Sequence, residues 1–235
     1  LDNWTLHHLA RDFSESEDVA GQHPAKLREL TDAFDTAAWQ YFVYPLDNRD
    51  RRDKFADVAP GSGAADDEPR TFLPGMQTVH KAIVFPLLAS RSYRIAVRFT
   101  HTPASEGVLW AIGDPAGGMV LYVEGGRLRF HYNGYGDRTS LDGPAVGVGE
   151  HGVVFDYQAF EKRQGRGRLL LDDATAVDWS PMSPTMVLYG VLEGLDIGLD
   201  RRGPVLWDLY DRHGAFGYQG RIHEVTIEPG ARVPM

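Results

Sequence analysis

From about Thr71 onward the apolar residues recur at alternate positions, and the runs end in turn signals rather than in helix caps. Tyr93, Ile95, Val97 and Phe99 share one side of a stretch whose other side carries Arg94, Ala96 and Arg98, the pattern of a half-buried strand. Val108-Leu109-Trp110-Ala111-Ile112 is a nearly continuous apolar strand. Met119–Val123 and Leu128–Tyr132 flank Gly125-Gly126, a pair in which both turn residues accept positive φ, so they read as a hairpin. Val153–Tyr157 is a further strand. Arg168–Leu171 and Ala174–Val177 flank Asp172-Asp173 as a second hairpin, and Gly220–Ile227 closes the series. No helical period appears after residue 70. Many short strands with regular turns predict an antiparallel two-sheet, jelly-roll-like (concanavalin-like) sandwich over residues 71–235, and the protein is mainly β.

The first 70 residues obey other rules. Leu27, Leu30, Phe34, Ala38 and Tyr41 recur at spacings of three and four and draw one apolar stripe, so an amphipathic helix runs from Pro24 to about Tyr41. Pro24 suits the first helical position, and Pro45 ends the helix. Asn3–Leu9 alternates weakly as a short strand. Ser14-Glu15-Ser16-Glu17 fits a capping box, followed by a helical turn through Val19-Ala20. One strand and one helix cannot cover their own apolar faces, so residues 1–47 require a partner surface: the sandwich, a neighbouring copy or another domain. Residues 48–70, rich in charge, Gly, Ala and Pro, read as a linker.

The net charge of −9 and the scattered Arg argue against nucleic-acid binding, which needs clustered cations. Arg49–Arg52 and Arg163–Arg168 read as solvated loops. There is no Cys, hence no thiol nucleophile and no Cys-zinc site, and no apolar run reaches the ~18 residues of a membrane span. Paired glycosidase carboxylates on one strand, as in E-x-D-x-x-E, are absent. Asp196, Asp200, Asp208 and Asp211 form the densest acidic stretch, but their spacing fits no calcium loop and they read as solvated turn acids. Sugar binding needs exposed aromatic platforms. The candidates are Trp110, Tyr132, Tyr135, Trp207 and Tyr210: Trp110 lies in an apolar run and belongs in the core, whereas Tyr135, Trp207 and Tyr210 sit among loop residues, where they would contact sugar or another domain or subunit.

Trp4-Thr5-Leu6-His7, Asp12-Phe13-Ser14-Glu15, Asp18-Val19-Ala20, Pro24-Ala25-Lys26-Leu27-Arg28-Glu29-Leu30 and Tyr41–Arg49 together resemble the C-terminal end of the bacterial arylsulfatase (type I sulfatase) family. Phe72–Met76, Glu193–Asp200 and Phe216–Ile222 resemble later signposts of its members with an appended β-domain. His7 departs from the family, which usually has Tyr there. The resemblance implies that residues 1–47 complete the α/β catalytic domain, with Trp4, Leu27, Leu30, Phe34 and Tyr41 packing between domains, and that the missing N-terminal catalytic domain is the partner. A start at Leu1 rather than Met fits a piece of a longer protein. The family's chemistry needs a Cys or Ser in C/S-x-P-x-R, matured to formylglycine, and a divalent cation, usually calcium. No Pro here has Ser or Cys two positions before it, so catalytic residues and metal ligands are none in this chain. Three roles follow for consideration: an accessory region that shapes or oligomerises the parent enzyme, a carbohydrate-binding module that delivers it to sulfated glycans, or a hydrolase in its own right, which the missing motifs disfavour.

Overall fold

The computed structural model describes residues 4–41, 43, 67–161, 164–183 and 193–233. The chain divides into two units, residues 1–54 and 55–235. Of the segment read as a linker, residues 48–66 lie outside the described residues, as does residue 163 of the second arginine cluster. Residues 67–70 belong with the sandwich: Asp67 pairs with the buried Arg91 at 2.6 Å, and Arg70 opens the first strand.

In the first unit, α1 spans Pro24–Gln40, with Pro24 at its start as expected. Trp4 packs edge-on against Phe34 at 5.2 Å. Trp4–His8 is not a strand, and Ser14–Glu17 is not a capping box. The reason is Asp12. Its Oδ2 accepts the Glu17 N–H at 2.7 Å and its Oδ1 accepts the Ser16 and Ser14 hydroxyls, so this carboxylate ties 12–17 into a turn before a helix can start. Asp18 likewise accepts the Leu6 and Ala20 N–H groups. The stripe of α1 is incompletely covered. Ala38 is buried and Leu27 half-buried, but Leu30 is 46% and Tyr41 70% exposed, and Phe34 lies at the border of exposure.

The second unit is the expected sandwich. Its strands are β1 (Arg70–Phe72), β2 (Arg91–His101), β3 (Gly107–Asp114), β4 (Gly117–Glu124), β5 (Arg127–Gly134), β6 (Asp137–Ala145), β7 (Gly149–Phe160), β8 (Gln164–Leu171), β9 (Ala174–Met182), β10 (Leu195–Ile197) and β11 (Arg221–Arg232). A six-stranded sheet runs β1-β11-β2-β7-β8-β9 and a five-stranded sheet β10-β3-β4-β5-β6, with every pairing antiparallel. Tyr93, Ile95, Val97 and Phe99 of β2 all face the core, and every residue of β3 is buried. Gly125 and Gly126 both take positive φ (58° and 67°) between Glu124 and Arg127, a two-residue turn that only backbones free of Cβ strain form readily. Asp172 and Asp173 make the second predicted turn with φ of 51° and 64°.

The two sheets meet through aromatic contact. Phe155 of β7 stacks on Phe130 of β5 at 4.1 Å and meets Trp110 of β3 at 6.4 Å, while within the six-stranded sheet Tyr93 stacks on its neighbour Tyr157 at 5.0 Å. Each such ring contributes about 1.5–3 kcal/mol through the apolar surface it removes from water. Trp110 is fully buried, as its apolar neighbours predicted. Two short helices break the expectation of no helix after residue 70: α2 (Lys81–Val84), continued by a 3-10 turn over Phe85–Leu87, and α3 (Trp207–His213). α3 packs Leu209, with Val205, on the outer face of the five-stranded sheet against Val108, Ala111, Val120 and Tyr122.

Candidate functional site

The aromatic residues chosen from sequence occupy two places. Trp207 and Tyr210 lie on α3 rather than on a loop. Burial of Leu209 fixes the helix on the sheet and turns this pair to solvent, 52% and 44% exposed, with the rings edge-to-face at 5.6 Å. Tyr135 stands on the β5–β6 turn at φ 60°, exposed, with its ring beside Gly117. The Asn133 carbonyl oxygen Oδ1 accepts the Gly136 N–H at 2.9 Å and holds that turn. Tyr132 is buried in the core.

Of the acidic stretch, Asp208 and Asp211 are exposed as expected, on α3 rather than on a turn, whereas Asp196 and Asp200 are not solvated. Asp196 is 3% exposed and accepts from Thr78 Oγ1 at 2.7 Å, the Arg201 N–H at 2.9 Å and Arg201 Nη1 at 3.1 Å. Glu193 accepts the Gly203 N–H and Asp200 the Val205 N–H, so three carboxyl groups fasten the 198–205 loop that leads into α3. Burial, reinforced by the charges of Asp196 and Glu193, pushes the Asp200 carboxyl up to about 7 against the opposing pull of the Val205 N–H. Burial also raises Glu193. Asp200 Oδ1 and Glu193 Oε2 are buried without a hydrogen-bond partner. Among the described residues no group of three or more His, Cys, Asp or Glu is placed to hold a metal ion. These acids fasten a loop.

Clefts among the described residues of the sandwich include these two. One, of about 340 Å³, lies at the end of α3 between Glu106, His213, Phe216 and Gln219. His213 stacks on Phe216 at 4.0 Å, and its Nε2 lies 2.7 Å from Glu124 Oε1, which also accepts from Arg212. The other, of about 430 Å³, crosses the outer face of the six-stranded sheet, where Ala96, Val154 and Thr226 form the floor, Arg98 and Glu224 a wall and Asp172-Asp173 an end.

On the same outer face, toward the β9 edge, the sheet carries a constellation that sequence reading missed. Residues 164–168 of the second arginine cluster are strand, not solvated loop. Arg166 and Arg168 alternate on β8 and share its outer side. Both guanidinium carbons lie over the indole of Trp179, at 4.4 and 4.3 Å, and Arg166 also approaches the exposed Phe160 ring at 5.5 Å. The pairing register explains the contact. Gly167 opposes Ser180 and Leu169 opposes Val177, so Arg168 alone faces both Asp178 and Trp179. This bulge re-aims Trp179 over the neighbouring strand. Arg168 gives Nε and Nη2 to Asp156 Oδ2 at 2.9 and 2.7 Å, whereas Arg166 gives the same two nitrogens to the neutral Gln158 Oε1.

No protein-family model and no curated protein matches the chain. Among solved structures, the sandwich is similar to the CBM40 of the Ruminococcus gnavus IT-sialidase at 13% identity, over 62% of this chain and 79% of that one, with a TM-score of 0.45. It is also similar to domains LG4-5 of the mouse laminin alpha1 chain at 14% identity, over 72% and 41% of the two chains, with a TM-score of 0.44. A heptameric SAP-like pentraxin from Limulus polyphemus follows at 12% identity, over 73% and 80%, with a TM-score of 0.42.

Proposed function

We propose that this chain is the non-catalytic C-terminal region of an arylsulfatase-like sulfuric ester hydrolase, in which residues 1–47 dock on the catalytic α/β domain and the sandwich contacts a saccharide substrate. The open face of α1 carries the first half of this reading. A helix that leaves Leu30 and Tyr41 in water, beside a Trp4–Phe34 pair, is stable in a native assembly when another surface covers it. The resemblance of residues 1–49 to the closing segment of sulfatases supplies the identity of that surface. Calcium and formylglycine then belong to the parent's catalytic domain.

The second half rests on the exposed aromatic pair that the sandwich presents outward, Trp207 and Tyr210 on α3. Flat apolar rings beside hydrogen-bonding groups are what a sugar ring packs against.

The test is a turnover assay on the full parent polypeptide and on the parent truncated before Thr71, with a small aryl sulfate and a polymeric sulfated glycan. Loss confined to the polymer supports a sandwich that holds substrate. Loss of both activities with a soluble, folded product assigns the sandwich to the architecture of the enzyme instead. Undiminished turnover of both substrates overturns the proposal. The isolated chain is expected to hydrolyse neither substrate.

A further inference from the structure

We infer that Arg166 and Arg168, held over Trp179 on the outer face of the six-stranded sheet, form a binding site for an oxyanion carried on a sugar ring, either a sulfate or a carboxylate. This rests on the proposal that the sandwich contacts saccharide, and it names the site and the chemistry.

Two residues apart on one strand, the guanidiniums share a side of β8 and lie within 4.4 Å of the same indole. Two like charges held this close are costly unless anions accompany them. Asp156 supplies one anion, and it belongs to Arg168. Arg166 is paired by an amide, which satisfies hydrogen bonds and neutralises nothing. Asp178, beside Trp179 and opposite Arg168, accepts the Trp179 N–H and is ion-paired to neither guanidinium, so among the described residues Arg166 has no anionic partner.

Geometry makes the excess usable. Gln158 and Asp156 each take the Nε and Nη2 edge of their arginine, and the indole face fixes each fork in its plane. Among the described residues, neither Nη1 donates to a protein acceptor, so two planar donors remain, already ordered and half-exposed. An ordered guanidinium loses little entropy on binding and matches the spacing of sulfate or carboxylate oxygens. The exposed ring of Phe160 beside Arg166 offers an apolar surface to the body of a sugar. A phosphate backbone of nucleic acid would need a run of such cations, and the outer face has instead the paired Arg94–Glu228 and Arg98–Glu224.

The experiment measures binding of the whole chain to dextran sulfate, polygalacturonate and unmodified dextran by calorimetry, with inorganic sulfate as competitor. Arg166→Gln is the main variant because its partner is neutral and no charge is stranded. Arg166→Lys keeps the charge without the fork and serves if the first variant melts early. At least one acidic polymer is expected to bind tenfold or more tighter than dextran. Arg166→Gln should lower that affinity about tenfold, the worth of one hydrogen bond between charged groups, and Arg166→Lys by less. Sulfate-only binding is recognised by preference for dextran sulfate over polygalacturonate, and binding of free anion alone by full competition at millimolar inorganic sulfate without any polymer preference, which overturns the sugar part of the inference. If a polymer binds and neither Arg166 variant alters it, the site is refuted while saccharide contact stands. If no polymer binds, both fall.

Discussion

Replacing Asp200 by Asn should make the sandwich more stable at pH 8 than at pH 4 relative to the wild type. Asp200 is held by the Val205 N–H through Oδ2, while Oδ1 is buried with no donor and Asp196 and Glu193 lie near enough to repel its charge. Arg201 is engaged with Asp196. The carboxyl therefore titrates at about 7 in the folded protein against 3.8 in the unfolded chain. A raised acid means the folded state binds the extra proton between those two values, so stability falls as pH rises through that window and the full loss is present above about 7. A shift of roughly three pH units at about 1.4 kcal/mol each amounts to ~4 kcal/mol. The Asn variant keeps the carbonyl that accepts from Val205 and carries no charge. Burying its amide costs something at every pH, but that cost cancels in the difference between pH 8 and pH 4. Urea unfolding of both proteins at pH 4, 6 and 8 reads that difference directly. The Asn variant should gain about 4 kcal/mol on wild type between the two ends. A gap that stays constant to within about 1 kcal/mol would show that Asp200 is charged and accommodated, and the reasoning from burial and repulsion would be wrong.

Three further results are expected. Gly194→Ala places a Cβ 1.7 Å from the Val79 carbonyl oxygen, where backbone faces backbone and neither side chain can yield; the Val79–Leu195 bridge should give way and the urea midpoint fall by an amount equivalent to about 3 kcal/mol. Trp110→Phe removes an indole N–H that is buried without a partner, so it should cost less than about 1.5 kcal/mol while Trp110→Ala costs about 3–5 in the same denaturation assay. In the first unit, the Asp12 carboxyl is held down to about 2, first by the Glu17 N–H and then by the Ser16 N–H. Its turn should persist above the ordinary carboxylate range and open only as pH falls through about 2, which a carbon-13 NMR titration of the Asp12 carboxyl will show; a midpoint near 4 would remove the basis for that turn.

What could be read before the structure was whatever repeats locally. The alternation of β2, the Gly125-Gly126 turn and the Pro24 start of α1 are each decided by a few consecutive residues, and each formed as expected. β6 escaped because only Leu141 and Gly143 of its nine residues are buried within an otherwise exposed or half-exposed edge strand, so no alternation survives. β10 escaped because three buried residues are too few to show a period. α3 escaped for the same reason, its packing resting on Leu209 and the preceding Val205. The capping box failed because Asp12, two residues before Ser14, competes for the same donors and wins with a charge. The arginine pair was legible as composition but not as a site. Arg166 and Arg168 announce a shared strand face by their spacing alone, yet the indole that orders them arrives from β9 only because two residues there oppose one on β8. A bulge leaves no mark in composition or period, since it is a relation between strands. The same relation decides what the arginines can do. With Trp179 in register on the sheet, they would be two independent surface cations; displaced over β8 by one residue, it converts them into a fixed pair of forks with one charge left to neutralise.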